Sequence, residues 1–231
     1  MKRTRAAVAA VVMVASLGLS PMASAAVPAD RPWTDAALPP FTRAEELVRQ
    51  MTLDEKILEI HMMDVPAHPR EVPGIPRLGI PTFKITNGPA GAGPGDTVPV
   101  PPATALPSAL ALSASWDRSL AAAFGRVAGQ EVAHRGESLL EAPGVNITRV
   151  PRNGRNFEYF GEDPYLAGQI AVSEIRAIQA EGIIAEVKHY AANNQETNRK
   201  TISEIIDERT LRERSTCRRS KRPSSRVTSG R

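Results

Sequence analysis

The chain has 231 residues, of which 42% are hydrophobic and 23% are charged, and it contains one cysteine, Cys217. This composition is too apolar for an intrinsically disordered chain, and an unpaired cysteine excludes a disulfide scaffold. The net charge of +4 would suit a nucleic-acid-binding protein, but the basic excess lies at the two ends. Residues 26–211 hold 18 basic and 24 acidic residues, a net charge of −6, which argues against nucleic-acid binding by the body of the chain.

The first 25 residues carry the three parts of an export signal. A basic start at residues 2–5 precedes an apolar run of 14 residues at 6–19, and Ala23-Ser24-Ala25 is a small-x-small cleavage site. Because about 20 apolar residues are needed to cross a bilayer, we expect no stable membrane anchor. The pattern predicts cleavage before Ala26 and a secreted or periplasmic protein. A buried N-terminal helix is the alternative.

Four segments of the body carry the start signal of a helix. In each of them a Thr or Asp side chain can accept hydrogen bonds from the unpaired N–H groups of a first turn. The signals are the capping boxes Thr42-x-x-Glu45 and Thr52-x-x-Glu55, then Asp117, and then Asp163 followed by Pro164.

Short apolar runs between the helices predict strands. They lie at residues 82–86, 109–113, 144–148 and 183–187. Strands that alternate with helices predict right-handed βαβ units, a parallel sheet and an α/β fold. Prolines exclude regular helix from residues 65–81, and the Gly- and Pro-rich residues 88–102 predict a loop.

Polar side chains follow the ends of the predicted strands. They are Asn87, Arg155, Lys188 and His189. In a parallel α/β fold the carboxyl ends of the strands form the edge at which binding sites are built. These four residues are therefore the candidate site.

Three segments together resemble glycoside hydrolase family 3, a group of β-glucosidases and related enzymes. They are RAEELVRQMTLDE at residues 43–55, GRNFEYFGEDP at 154–164 and KHYAANNQETNR at 188–199. The similarity extends from about Trp33 to Glu213. It implies a (β/α)₈ barrel of the TIM type, of which the chain would hold about the first five strands.

The resemblance implies that Arg155, Lys188 and His189 bind the hydroxyls of the sugar next to the scissile bond. A guanidinium is a planar fork of donors, an ammonium is a point charge and an imidazole can donate or accept, and such charged groups make the stronger hydrogen bonds. The family also commonly has a non-proline cis peptide in its Lys-His segment. Each residue has a simpler alternative: an ion pair of Arg155 with Glu158 or Glu162, a strand cap for Lys188 and a core position for His189.

Two positions differ from the family pattern. The resemblance implies an aspartate in the turn where this chain has Asn87, and an arginine a few residues later, near Gly93. An amide has only one acceptor oxygen and no charge. We therefore expect weaker binding or a different selectivity at this wall of the site.

The composition changes abruptly after Glu213. Residues 214–231 are rich in Arg and Ser, and Cys217 and Val227 are their only hydrophobic residues. We interpret this segment as a frameshifted or otherwise aberrant, disordered tail; a basic segment that binds anionic polymers or membranes is the alternative. The chain then divides into a signal peptide at 1–25, a partial family 3 N-terminal barrel domain at 26–213 and this tail.

The resemblance implies a retaining glycosidase that hydrolyses the O-glycosyl bonds of β-linked glucosides or oligosaccharides. This reaction needs two carboxyl groups about 5–5.5 Å apart. In the family both come later than Glu213, so we assign no catalytic residue and expect the isolated chain to be inactive. A non-catalytic carbohydrate-binding protein is the alternative. We expect no cofactor, and no metal site because His61, His68 and His134 lack the spacing of metal ligands.

Overall fold

The computed structural model describes residues 30–61, 63–65, 68–93 and 101–215. The predicted signal peptide and residues 216–231 of the predicted tail lie outside the described residues. The described part is an α/β fold, as the sequence predicts, with a sheet in the order β1-β2-β3-β4-β5. The strands are β1 Met63–Val65, β2 His68–Val72, β3 Phe83–Asn87, β4 Leu139–Glu141 and β5 Ile184–Ala185.

The helices agree with three of the four predicted starts. They are α1 Pro40–Gln50, α2 Leu53–Glu59, α3 Ala109–Ala114, α4 Arg118–His134, α5 Pro164–Ala180 and the short α6 Glu208–Thr210. The capping box of α2 is complete, because Thr52 accepts from the backbone of Glu55 and the Glu55 carboxylate accepts from the Thr52 N–H. Asp117 caps α4 and Asp163 caps α5.

The capping box predicted at Thr42 is wrong. Helix α1 starts two residues earlier, and its N-cap is Pro39, which makes no side-chain cap. A proline at the first helical position, Pro40, has its φ already set for a helix and lacks the N–H that would otherwise need a partner. Thr42 therefore lies inside the first turn.

Two of the predicted strands are also wrong. Residues 109–113 form α3, because Ala and Leu favour a helix and Ser108 caps it by accepting from the Ala111 N–H. Residues 144–148 form no strand and carry only single bridges from Gly144 to Tyr159 and to Lys188. The strand of this region, β4, comes earlier, and Pro143 lacks the N–H that would continue its ladder.

The sheet is mixed. Strands β3, β4 and β5 are parallel, as predicted, with α3 and α4 connecting the first two and α5 connecting the last two. Strand β2 lies in the proline-rich segment and pairs antiparallel with β3, and β1 pairs antiparallel with β2. The carboxyl ends of β3, β4 and β5 consequently meet at one edge.

The core lies between the parallel strands and the pair α4–α5. Leu140 of β4 packs with Val132 of α4 and Ile178 of α5, and all three are fully buried. The two helices approach closely at Gly125, where an added Cβ would lie 2.5 Å from the carbonyl oxygen of Glu174. This packing fixes the positions of the strand ends.

Candidate functional site

The strand ends bring the four predicted residues together; we call Asn87, Arg155, Lys188 and His189 the strand-end cluster. Asn87 is the last residue of β3, and Lys188 follows β5 by three residues. The Lys188 Nζ donates a hydrogen bond to Asn87 Oδ1, although 101 positions separate the two in sequence. The parallel sheet thus makes neighbours of residues that the sequence separates.

Backbone hydrogen bonds hold the Lys188–His189 segment in place. The Lys188 N–H donates to the Pro143 carbonyl at 3.1 Å, and the Val145 N–H donates to the Lys188 carbonyl at 2.7 Å. The His189 N–H donates to Oδ1 of the buried Asn146 at 2.7 Å. The Lys188–His189 peptide is cis, which agrees with the expectation from the sequence.

Arg155 is the centre of the cluster. It precedes the 3₁₀ turn Asn156–Glu158, and its Nε donates to the carboxylate of Glu158, which is buried. Its Nη1 lies 3.3 Å from a carboxylate oxygen of Glu196, and its Nη2 lies 2.7 Å from His189 Nε2. The Arg155 guanidinium therefore forms the ion pair with Glu158 and the hydrogen bond with His189 at the same time.

The hydrogen bonds of His189 define its tautomer. Because a guanidinium can only donate, Nε2 must accept from Arg155, and Nδ1 then carries the proton toward the Tyr159 hydroxyl at 3.3 Å. Burial, and then the positive charges of Arg155 and Lys188, lower the pKa of His189 to about 4. Burial also raises the pKa of Tyr159 to about 12. The imidazole and the phenol are both neutral at pH 7.

Lys188 is a partly buried ammonium at the edge of the site. Its side chain is 11% exposed, and burial lowers its pKa to about 8, while the charges of Glu158 and Arg155 act in opposite directions. It therefore carries its charge through most of the neutral range and loses it above pH 8. Charged below that point, it can donate up to three hydrogen bonds.

Two further residues of the site are absent from the sequence-based set. Glu141 is the last residue of β4 and the register partner of Asn87 in the parallel ladder. Its carboxylate pairs with Arg70 of β2 and lies 3.6 Å from Lys188 Nζ. An acidic residue that ends the apolar pair Leu139-Leu140 was an available signal for Glu141. The position of Arg70 depends on the antiparallel pairing of β2, which the sequence pattern does not predict.

Within the described ranges, no three His, Cys, Asp or Glu residues are arranged to hold a metal ion. A search of the same residues for a helix long and apolar enough to cross a membrane found none.

The model of the glycosyl hydrolase family 3 N-terminal domain matches residues 93–217. The chain is 45% identical over 176 residues to a thermostable β-glucosidase B of Acetivibrio thermocellus, a match that covers 73% of this chain and 23% of that protein. It is 38% identical over 174 residues to an exo-α-(1→6)-L-arabinopyranosidase of Bifidobacterium longum, with 72% and 22% covered.

The fold is similar to that of a solved enzyme. The crystal structure of DesR, a β-glucosidase from Streptomyces venezuelae in complex with D-glucose, superposes with a TM-score of 0.70 at 41% identity. This match covers 76% of the present chain and 22% of DesR. The chain spans less than a quarter of the length of the two curated relatives, the β-glucosidase and the arabinopyranosidase.

Proposed function

Because this chain belongs to glycosyl hydrolase family 3, we propose that it forms the sugar-binding part of a retaining β-glycosidase of the β-glucosidase type. The observation that carries the proposal is the convergence of Asn87, the last residue of β3, with Lys188, three residues after β5, and with Arg155, which reaches His189 from the loop before α5. The parallel strands β3–β5 would then be the beginning of an eight-stranded barrel. The substrate would be a β-linked glucoside or oligosaccharide.

The proposed roles follow from the charges of the cluster. Lys188 and Arg155 are cations that can donate to the hydroxyl oxygens of a pyranose, and hydrogen bonds to charged groups are worth roughly 1.5–3 kcal/mol each. His189 is neutral and holds the orientation of Arg155 through its Nε2. Asn87 accepts a hydrogen bond from the Lys188 ammonium and so holds it at the end of β3.

Sugar binding by the chain tests this proposal. In an NMR titration with methyl β-D-glucopyranoside at pH 7, we expect saturable binding that is weakened about tenfold or more by Lys188→Met, because one charged hydrogen bond is lost. Lys84→Met is the matched control, since Lys84 is exposed and lies near the opposite end of β3. Wild-type binding should also weaken above pH 8, where Lys188 loses its proton.

Two results would contradict the proposal. One is the absence of saturable binding by the wild-type chain, and the other is equal binding by the wild type and Lys188→Met.

We also propose that the isolated chain binds sugar without hydrolysing it. The carboxylates of the site are all engaged in ion pairs: Glu141 with Arg70, and Glu158 and Glu196 with Arg155. These ion pairs favour a structural role for the three carboxylates over a role as nucleophile or acid/base of glycoside hydrolysis. We expect no release of aryl alcohol from an aryl β-glucoside; turnover by the purified chain that is lost in Lys188→Met would overturn this part. Non-catalytic carbohydrate binding is the second candidate function, and the same ion pairs favour it.

Export is a further part of the proposal. The order of basic start, apolar run and Ala23-Ser24-Ala25 supports cleavage before Ala26 and a secreted or periplasmic location. N-terminal sequencing of material from the culture medium or periplasm should begin at Ala26. A product that stays in the cytoplasm with residues 1–25 attached would contradict it.

A further inference from the structure

The carboxylate of Glu141 lies beside Asn87 at the edge of the sheet. The two are register partners on neighbouring parallel strands, so their side chains project from the same face. Glu141 thus belongs to the wall of the site at which Asn87 stands.

The acceptor oxygen of Asn87 is already used inside the protein. Asn87 Oδ1 accepts from Lys188 Nζ and from the Gly88 N–H at 3.2 Å. An amide oxygen has two lone pairs, so both are occupied. Only the Nδ2 group remains, and Asn87 can therefore offer a ligand donors but no acceptor.

Glu141 keeps acceptor capacity at the same wall. One carboxylate oxygen accepts from Arg70, and the other lies 3.6 Å from Lys188 Nζ, beyond a close hydrogen bond. An ionised carboxylate has about four acceptor positions. Its side chain is 20% exposed, so a ligand can reach it.

We infer that Glu141 is a specificity-determining residue that accepts a hydrogen bond from one hydroxyl of the bound glycoside, at the wall where Asn87 can only donate. This inference rests on the proposed function, since it assumes that the strand-end cluster binds a sugar. A hydroxyl group can accept from Asn87 Nδ2 and donate to Glu141 at once. Arg70 holds the carboxylate in position for this contact through its ion pair.

The contact predicts a selectivity that is specific to one hydroxyl. A site built to bind a hydroxyl rejects the analogue that lacks it, because its buried polar group is then left unpaired. Removal of that hydroxyl should weaken binding to the wild-type chain by about tenfold or more, the effect of one charged hydrogen bond. The loss of affinity that follows removal of any other hydroxyl should not depend on Glu141.

The test compares methyl β-D-glucopyranoside with its 2-, 3-, 4- and 6-deoxy analogues by NMR titration of the full chain. In the wild type, one analogue should lose about tenfold or more in affinity through the Glu141 contact. In Glu141→Gln that loss should fall below about threefold, because a neutral amide replaces the charged acceptor. The losses for the other analogues should be unchanged. Glu162→Gln is the matched control, because it is the same substitution at an exposed residue outside the cluster.

The outcomes separate this inference from the proposed function. Equal weakening of all five glycosides by Glu141→Gln, or no change in any of them, would overturn the inference and leave sugar binding intact. An absence of binding by the wild type would overturn both. If thermal melting shows that Glu141→Gln is unfolded, Glu141→Asp replaces it, since the shorter side chain keeps the charge and withdraws the carboxylate. The discrimination should then fall as well, and unchanged discrimination would contradict the inference.

Discussion

The strand-end cluster and the helical layer bury ionisable groups in opposite ways. At the strand ends, Arg155 is surrounded by Glu158, Glu196 and His189, so its charge has partners on several sides. In the helical layer, Glu174 of α5 is 1% exposed, and its Oε1 has no hydrogen-bond partner in the described part of the chain. Burial raises the pKa of Glu174 to about 8.

The difference shows how burial affects the charge of a group that has an opposite charge beside it and of one that has none. Burial always opposes the charged form of a group, and only an opposite charge or a hydrogen bond restores it. Arg155 remains charged because carboxylates surround it, whereas Glu174 is protonated at pH 7 in the folded protein. Arg155 therefore keeps its charge at the strand ends, where a ligand could use it, whereas the charge of Glu174 is suppressed in the helical layer.

The largest change in stability should follow from removing Arg155, which pairs with the carboxylates at the strand ends. Arg155→Met removes the charge and keeps a long side chain, which leaves the buried Glu158 carboxylate without its main partner. We expect a loss of about 3–5 kcal/mol in the free energy of unfolding, measured by urea denaturation at pH 7. The exposed Arg149, changed to Met, should alter stability by no more than about 0.5 kcal/mol.

A double variant checks the reason for that loss. Arg155→Met combined with Glu158→Gln should recover part of the stability, because no uncompensated charge is left in the protein. If the double variant is less stable than Arg155→Met alone, the loss comes from packing and not from an unpaired buried charge.

Replacement of Glu174 in the helical layer should have a smaller effect, which is a gain in the free energy of unfolding. The pKa of Glu174 rises from 4.5 to about 8 on folding, so the folded state keeps a proton that the unfolded state releases. The contribution of Glu174 to wild-type stability should therefore fall as the pH rises from about 4.5 to about 8 and then level off. Glu174→Met removes this loss, and near pH 8 it should be more stable than the wild type by a few kcal/mol.

Urea denaturation of both proteins at pH 4 and pH 8 measures this difference. Glu162→Met, at an exposed position, should follow the wild-type pH dependence. A gain from Glu174→Met that is as large at pH 4 as at pH 8 would show that the stabilisation comes from packing and not from the proton.

Local signals predicted the helices better than the strands. The caps at Thr52, Asp117 and Asp163 act through hydrogen bonds within three residues, so the sequence contains both partners. The strand predicted at 109–113 was wrong because a short run of Ala and Leu suits a helix as well as a strand, and only Ser108 distinguished the two.

The sequence identified candidate residues for the site, without Glu141 and Arg70, and it did not identify their contacts. Lys188 and His189 were identified because polar residues at strand ends and a family motif coincide. The pairing of Lys188 with Asn87, and the place of Glu141 between Lys188 and Arg70, depend on strand register across four segments. A period-2 pattern shows which face a residue occupies, but it does not specify its neighbour on the next strand.

The smallest effect concerns His189, which is neutral although its neighbours are charged. Its pKa falls from 6.5 to about 4 on folding, mainly through burial and then through Arg155, so the unfolded state takes up a proton first as the pH falls. The contribution of His189 to wild-type stability should therefore be lost as the pH falls from about 6.5 to about 4. His189→Gln, whose amide oxygen can still accept from Arg155, should lose less over that range by on the order of 1–2 kcal/mol, since the ring is only partly buried.

Thermal melting of the wild type and His189→Gln between pH 4 and pH 7 checks this expectation, with His134→Gln as the control. His134 is exposed at the end of α4, and its replacement leaves His189 in place, so the wild-type dependence should remain. Parallel pH profiles for wild type and His189→Gln would mean that folding does not shift the protonation of the ring. In that case neither burial nor the charge of Arg155 would keep His189 neutral as the pH falls.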